Sequence, residues 1–256
     1  MRVTILGCGG SNGVPTIGNR WGECDPTNPK NRRRRPSVLV EEGGTTILID
    51  TSPDLREQFL DAGVERLDAV LYSHDHADHS HGIDDLREIN RLMAADIPVY
   101  GLQETMQTLT ARFYYCFEQI NQGQSYFRPV LLSNIISGVE PFTINNIVVT
   151  PFLQDHGYTL TVGYRFGSFA YSTDVLRLDE AAFSVLDGIT DWVVDCVRRD
   201  PHPVHSHLEN TLEWIDRVKP RRAWLTHMNN TLDYAALAAT LPPGVMPAHD
   251  GLVIEI

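Results

Sequence analysis

A short run of histidines and carboxylates constrains this chain more than any other stretch. Residues 71–79 read Leu-Tyr-Ser-His-Asp-His-Ala-Asp-His. The polar part of this run directly follows the largely apolar stretch 68–72, which is typical of a buried strand and not of a polar surface turn. The run holds four potential metal ligands: His74, His76, Asp78 and His79. Because zinc, manganese and iron accept imidazole and carboxylate ligands, the run predicts a metal site at the end of a strand.

The composition narrows the class of protein. The 256 residues carry a net charge of −12, which argues against an extended nucleic-acid surface, since that would need a basic face. No apolar run approaches the roughly 18 residues of a membrane span, and the N-terminus reads as a strand instead of a signal peptide. The four cysteines are scattered and form no CxxC pair. This pattern is typical of reduced thiols and predicts a cytoplasmic protein.

Further polar residues stand at predicted strand ends or in the loops between strands. Three of them are potential metal ligands: His156, Asp174 and His227. Asp50 also ends a predicted strand, and two roles are open for it. It caps the following turn, or it accepts a hydrogen bond from the outer ring nitrogen of a histidine ligand and so fixes that ring.

The order His74-x-His76-x-Asp78-His79, followed by His156, Asp174 and His227, resembles the metallo-β-lactamase superfamily over nearly the whole chain. The resemblance implies an α/β fold of the α+β kind, a four-layer αββα sandwich of two mixed sheets, formed by a single domain over residues 1–256. It also implies two divalent ions per chain, Zn²⁺ or Mn²⁺. His74, His76 and His156 would hold one ion, Asp78, His79 and His227 the other, and Asp174 would bridge both.

Within the superfamily, the chain most resembles the phosphodiesterases of carbon–phosphorus lyase pathways, which open phosphoribosyl 1,2-cyclic phosphate. The tRNA 3′-end endonucleases are similar in turn. The motifs that carry this resemblance are Gly7-Cys8-Gly9-Gly10, Leu48-Ile49-Asp50, Leu225-Thr226-His227-Met228 and Asp250-Gly251. It implies that a small cyclic phosphate or nucleotide-type phosphodiester is cleaved by a hydroxide held between the two ions.

Those relatives use a histidine as general acid, placed before the helix that precedes the last ligand. His205 matches this position best and His207 is the second candidate, while Asp78 is expected to be both ligand and catalytic residue. Ser206 and Glu209 form an S-x-x-E capping box, which predicts a helix with His205 before its cap and His207 inside it.

Two stretches offer candidates for substrate contacts. The basic run at 30–35 is a solvated face, or it supplies arginines that clamp a phosphoryl oxygen: Arg33, Arg34 and Arg35. An aromatic-rich insert at about 103–135 is a packed core insert, a homodimer contact or a lid.

One departure from the resembled phosphodiesterases concerns a structural zinc, which they hold with three cysteines and a histidine. The matching loop here keeps only Cys24, and Asn230 stands where the histidine is expected, so we predict no third zinc. The alternatives to a small-molecule phosphodiesterase are a tRNA 3′-end endonuclease, a thioester or lactone hydrolase, and a metal-binding or nucleotide-sensing protein.

Overall fold

The computed structural model describes residues 1–118 and 130–256, and its strands form two seven-stranded sheets. The first sheet contains β1 (Arg2–Gly7), β2 (Ser37–Glu42), β3 (Thr45–Ile49), β4 (Ala69–Leu71), β5 (Ile97–Gly101), β6 (Leu131–Ile135) and β14 (Leu252–Glu255). Their spatial order is β14-β1-β2-β3-β4-β5-β6. From β14 to β3 neighbouring strands are antiparallel, and from β3 to β6 they are parallel.

The second sheet repeats this mixed arrangement. It contains β7 (Phe142–Ile144), β8 (Ile147–Asp155), β9 (Leu160–Phe166), β10 (Phe169–Ser172), β11 (Asp191–Asp195), β12 (Arg222–Thr226) and β13 (Val245–Pro247). Strands that are consecutive in the chain are also neighbours in this sheet. Neighbouring strands are antiparallel from β7 to β10 and parallel from β10 to β13.

Helices cover the outer faces of both sheets. They are α1 (Leu55–Ala62), α2 (Ala77–Ser80), α3 (Leu86–Met93), α4 (Gln103–Arg112), α5 (Tyr114–Phe117), α6 (Glu180–Leu186), α7 (Leu208–Val218) and α8 (Tyr234–Ala238), with short 3₁₀ turns at Pro29–Asn31 and Ile83–Asp85. The predicted αββα sandwich of two mixed sheets is confirmed. No helix in the described part of the chain is long and apolar enough to cross a membrane.

Alternation along the strands explains how the first sheet buries both of its faces. In β3, Ile47 and Ile49 belong to the core between the two sheets, whereas Leu48 belongs to the core beneath the helices. Successive side chains of a strand point to opposite faces, so a strand covered on both sides reads as a continuous apolar run. The core between the two sheets therefore holds the ends of their strands, and the loops that follow them, in a fixed relative position.

The aromatic-rich insert is only partly described. Its first portion forms α4 and α5, and its last portion forms β6, an edge strand of the first sheet. Residues 119–129 lie outside the described residues. The lid and homodimer roles of the insert, and the single domain over residues 1–256, therefore stay predictions.

Gly7 ends β1 where the strand passes very close to another backbone segment. A Cβ at this position would lie 2.1 Å from the carbonyl oxygen of Arg35 and 2.6 Å from Nε2 of Gln58. We expect Gly7→Ala to lower the free energy of unfolding by about 3 kcal/mol, because backbone would have to move. Denaturant unfolding measures the loss. Gly101→Ala is the control, since its nearest neighbour is the flexible Met106 sulfur, and equal losses in both variants would contradict the expectation.

Candidate metal centre

The seven predicted metal ligands lie together at one end of the two sheets. They form two groups in which the potential ligand atoms lie within 4.8 Å of one another: His74, His76, His156 and Asp174, and Asp78, His79, His227 and Asp174. Asp174 belongs to both groups, and all seven residues except His76 are buried. The structure thus joins residues that are widely separated in the sequence.

The two oxygens of Asp174 face different groups. Oδ1 lies 3.8 Å from Nε2 of His74 and 3.7 Å from Nε2 of His156. Oδ2 lies 2.9 Å from Nε2 of His79 and 3.3 Å from Nε2 of His227. A carboxylate with one oxygen turned to each group has the geometry of a bridging ligand.

Three of the residues at this end of the sheets have an unusual backbone conformation. Asp50 directly follows β3, His227 directly follows β12, and Asp174 comes two residues after β10. Their φ angles are 62°, 57° and 53°, in the left-handed region that residues other than glycine seldom adopt. Such strain is typical of functional sites, and here it turns each side chain at the point where a strand ends.

The donor atoms fit divalent metal ions. Nε2 of His74 is buried, lies 3.8 Å from Oδ1 of Asp174 and forms no hydrogen bond with any described residue. Because buried polar atoms are nearly always paired, an unpaired ring nitrogen beside a buried carboxylate indicates that a cation completes the site. Imidazole and carboxylate donors suit both zinc and manganese.

Hydrogen bonds at the outer ring nitrogens fix the orientation of two of these histidines. Nδ1 of His79 donates to Oδ2 of Asp50 at 2.7 Å, and Nδ1 of His156 donates to the carbonyl oxygen of Val204 at 2.7 Å. Asp50 is itself held by the backbone N–H and the hydroxyl of Ser73. Each bond leaves Nε2 facing Asp174. Of the two roles open for Asp50, the structure shows the contact with a histidine.

Burial and charge act in opposite directions on these rings. Burial lowers the pKa of His227, but the neighbouring carboxylates, Asp174 first, raise it to about 9. The pKa of His79 is likewise raised well above its ordinary value against the effect of burial, whereas burial dominates for His74 and His156 and lowers the pKa of both. The centre is therefore a buried concentration of negative charge that favours cations.

A buried pair lies beside the two groups: His205, which is the predicted general acid, and Asp195, for which the sequence predicted no role. Nδ1 of His205 lies 3.4 Å from Oδ2 of Asp195, and the His205 ring stands between the rings of His156 and His227, with centroid separations of 4.7 and 4.8 Å. Asp195 is fully buried at the end of β11. The signal that could have identified it is the one that identified Asp174: a carboxylate at the end of a buried strand.

The helix after His205 begins differently from the prediction. The predicted capping box at Ser206 is wrong: α7 begins at Leu208, its N-cap residue is His207, and no side chain caps it. The Ser206 hydroxyl instead donates to the carbonyl oxygen of Asp195 at 2.6 Å, because a buried carbonyl at a strand end competes for it. His207 therefore lies outside the helix, and the metal-ligand groups found among the described residues do not include it.

Arg33 is a buried residue that connects two loops. It is 2% exposed, and its guanidinium donates to the carbonyl oxygens of Asn229 and Leu232 at 3.1 and 2.6 Å. The same guanidinium lies 4.0 Å from the sulfur of Cys24. It therefore ties the loop that contains Cys24 to the segment that follows His227.

The other two arginines of the run form ion pairs. Arg34 pairs with Asp61 at 2.6 Å, and Arg35 makes two contacts with the carboxylate of Asp54, at 2.7 and 2.6 Å. None of the three arginines contacts a predicted metal ligand among the described residues. The phosphate-binding role of the run therefore stays a prediction.

Comparisons with known proteins agree with this geometry. A family model described as "Beta-lactamase superfamily domain" matches residues 45–228. A solved structure described as a new diphosphatase from the PhnP family is 35% identical, has a TM-score of 0.90, and is matched over 100% of this chain and 97% of that chain.

Two curated relatives also match. An octanoyltransferase from Porphyromonas gingivalis is 31% identical over 98% of this chain, which spans about half of that relative, 51% of its length. The anti-Pycsar protein Apyc1 from Paenibacillus harenae is 27% identical over 77% of this chain and 84% of its own length. The residues matched by the family model, 45–228, include all seven candidate ligands.

The contacts of Arg33 predict a structural role. In Arg33→Met the carbonyls of Asn229 and Leu232 would lose their donors, so we expect the free energy of unfolding to fall by about 2–4 kcal/mol. Arg34→Met removes an exposed ion pair and should cost less than about 1 kcal/mol. Denaturant unfolding of both variants measures the difference, and an Arg33→Met protein as stable as the Arg34→Met protein would disprove the structural role.

Proposed function

This chain belongs to the beta-lactamase superfamily, and we propose that it is a dinuclear metal-dependent phosphodiesterase of small cyclic phosphates or nucleotide-type diesters. The observation that carries the proposal is the buried Asp174 carboxylate, which turns one oxygen to each ligand group while the His205–Asp195 pair lies alongside. The 35%-identical diphosphatase supports phosphoryl chemistry.

Each group of ligands would hold one ion. His74, His76 and His156 would hold the first, Asp78, His79 and His227 the second, and Asp174 would contact both. Two divalent ions supply charge that neutralises phosphoryl oxygens and lower the pKa of water enough to give a nucleophile near neutral pH. The donor set is compatible with zinc and with manganese.

His205 would move the proton that the leaving group needs. Its Nδ1 faces the carboxylate of Asp195, so the proton to be delivered is held at Nε2. The carboxylate of Asp195 lies beside the ring, as in carboxylate–histidine pairs in which the carboxylate orients a general acid. The ring stands between His156 and His227, so it can reach a substrate held across both ligand groups.

The competing functions differ from this proposal in substrate. A tRNA 3′-end endonuclease would need a basic surface, and the net charge of −12 disfavours it. A thioester hydrolase has less need of a proton donor such as His205, because a thiolate leaves readily, and a metal-binding or sensing protein has no need of one. A lactone hydrolase would also use a proton donor, and the 35%-identical diphosphatase favours phosphoryl chemistry over it. This chain spans only about half of the octanoyltransferase relative, so that relative's activity does not decide the substrate of this chain. A cytoplasmic location and a homodimer stay predictions.

The loss of activity in His205→Ala should depend on the leaving group of the substrate. We expect His205→Ala to slow the opening of adenosine 2′,3′-cyclic phosphate by about 10²–10⁴-fold, because an alkoxide needs a proton as it departs. Hydrolysis of bis-p-nitrophenyl phosphate should fall far less, since p-nitrophenolate leaves unprotonated. Steady-state assays of kcat with both substrates measure the contrast.

His207→Ala is the matched control, since His207 is the other candidate acid and stands two residues away. It should leave both activities within a fewfold of the unchanged protein. Equal losses on the two substrates in His205→Ala, or a selective loss in His207→Ala, would refute the assignment of the acid.

The bridging position of Asp174 predicts how metal content depends on it. We expect the unchanged protein to bind two divalent ions per chain and to lose diesterase activity on dialysis against a chelator. Asp174→Ala should bind fewer ions and be inactive, because both ions lose a shared ligand. Asp216→Ala, on the exposed side of α7, is the control. Inductively coupled plasma mass spectrometry gives the stoichiometry, and full activity with one ion per chain would exclude the dinuclear mechanism.

A further inference from the structure

A groove of about 940 Å³ opens beside the first ligand group. Asp75, which lies between two predicted ligands in the sequence, forms part of its wall, and so do Asp155 and Gly157, which flank His156. The hydroxyl of Tyr158, another wall residue, lies 3.1 Å from Nε2 of His76. The groove is therefore continuous with the candidate metal centre, and part of any substrate held there would extend into it.

The surface of this groove suits an apolar or ring-bearing group. Tyr158 is 73% exposed, Ile135 is 62% exposed and Leu160 is 49% exposed, and all three line the groove. Leu102 and Ile136 lie in the same wall. Exposed apolar side chains gathered around one concave site are typical of ligand binding, and a planar ring packs well against an exposed tyrosine.

The charged residues of the groove wall are all acidic. They are Asp75, Glu104 and Asp155, and no lysine, arginine or histidine is among the described residues of the wall. Arg112 pairs with Asp75 at 3.3 Å, and Arg177 pairs with Asp155 at 2.8 Å. Glu104 forms no ion pair with any described residue. An anionic group in the groove would thus meet a negative potential.

We propose that the groove binds the retained ester group of a small phosphodiester, accepts neutral or cationic ring-bearing groups, and discriminates against groups that carry a second negative charge. The proposal rests on the proposed phosphodiesterase activity. It assigns the selectivity to the carboxylate of Glu104, which has no ion-pair partner among the described residues, acting with the wall residues around it. Repulsion of a like charge rejects one substrate without improving another.

Three matched substrates test this proposal. They are p-nitrophenyl diesters of phosphate whose second ester is phenyl, 4-carboxyphenyl or 4-(trimethylammonio)phenyl, so the leaving group stays the same while the charge of the retained group changes. For the unchanged protein we expect kcat/KM to be several-fold lower for the 4-carboxyphenyl ester than for the phenyl ester. The value for the 4-(trimethylammonio)phenyl ester should be equal to or higher than that for the phenyl ester.

Charge reversal at the groove should invert this order. In Glu104→Lys we expect the carboxylate-to-phenyl ratio of kcat/KM to rise by about three- to tenfold and the cation-to-phenyl ratio to fall. Glu104 is exposed at the start of α4, so the substitution is compatible with folding. Glu213→Lys makes the same charge change on exposed helix α7 and should alter none of the ratios.

The outcomes separate the two proposals. Hydrolysis of all three esters with ratios near one, unchanged in Glu104→Lys, would overturn the assignment of the groove and leave the phosphodiesterase proposal intact. Ratio changes of equal size in Glu213→Lys would show a general effect of net charge and would also overturn it. No hydrolysis of any ester by the metal-loaded protein would overturn the phosphodiesterase proposal, and the assignment of the groove with it.

Discussion

The contact on which the rest of this molecule depends is the one between the buried Asp174 carboxylate and the histidines around it. Its two oxygens face ring nitrogens that come from both sheets: His74 and His79 follow β4 of the first sheet, and His227 follows β12 of the second. A carboxylate buried this deeply is costly unless cations or hydrogen bonds compensate it. The packing of one sheet on the other thus brings together the histidines that compensate the buried charge of Asp174.

The residues behind the centre show how that constraint is met. The carboxylate of Asp50 and the carbonyl of Val204 hold the outer nitrogens of two histidines, so their inner nitrogens are directed at Asp174 before any ion arrives. Such preorganisation keeps the donor atoms close to binding geometry and reduces the ordering that an ion would otherwise require. Asp50 and Asp174 have a left-handed backbone, and the surrounding side chains and sheets hold both residues in this strained conformation.

The sequence allowed much of the fold and of the centre to be predicted, and particular residues show where it failed. The alternation in β3 and the strand-end position of Asp174 are local patterns, so both could be read directly. The capping box failed because the hydroxyl of Ser206 binds the Asp195 carbonyl, a partner 11 residues away that helix-start rules do not consider. The role of Asp195 could not be predicted, since nothing near it in the sequence shows that His205 lies against it.

The sequence by itself determined the chemistry of the centre: which donor types are present, in what order, and that they stand where strands end. Only the tertiary structure decided which of them meet. Oδ2 of Asp78 lies 3.4 Å from Nε2 of His227, 149 residues further along the chain, and Arg33 reaches a carbonyl 196 residues away. Residue type and strand position follow from local rules, but contacts between distant side chains arise when the two sheets bury their shared core, and a local pattern does not encode that packing.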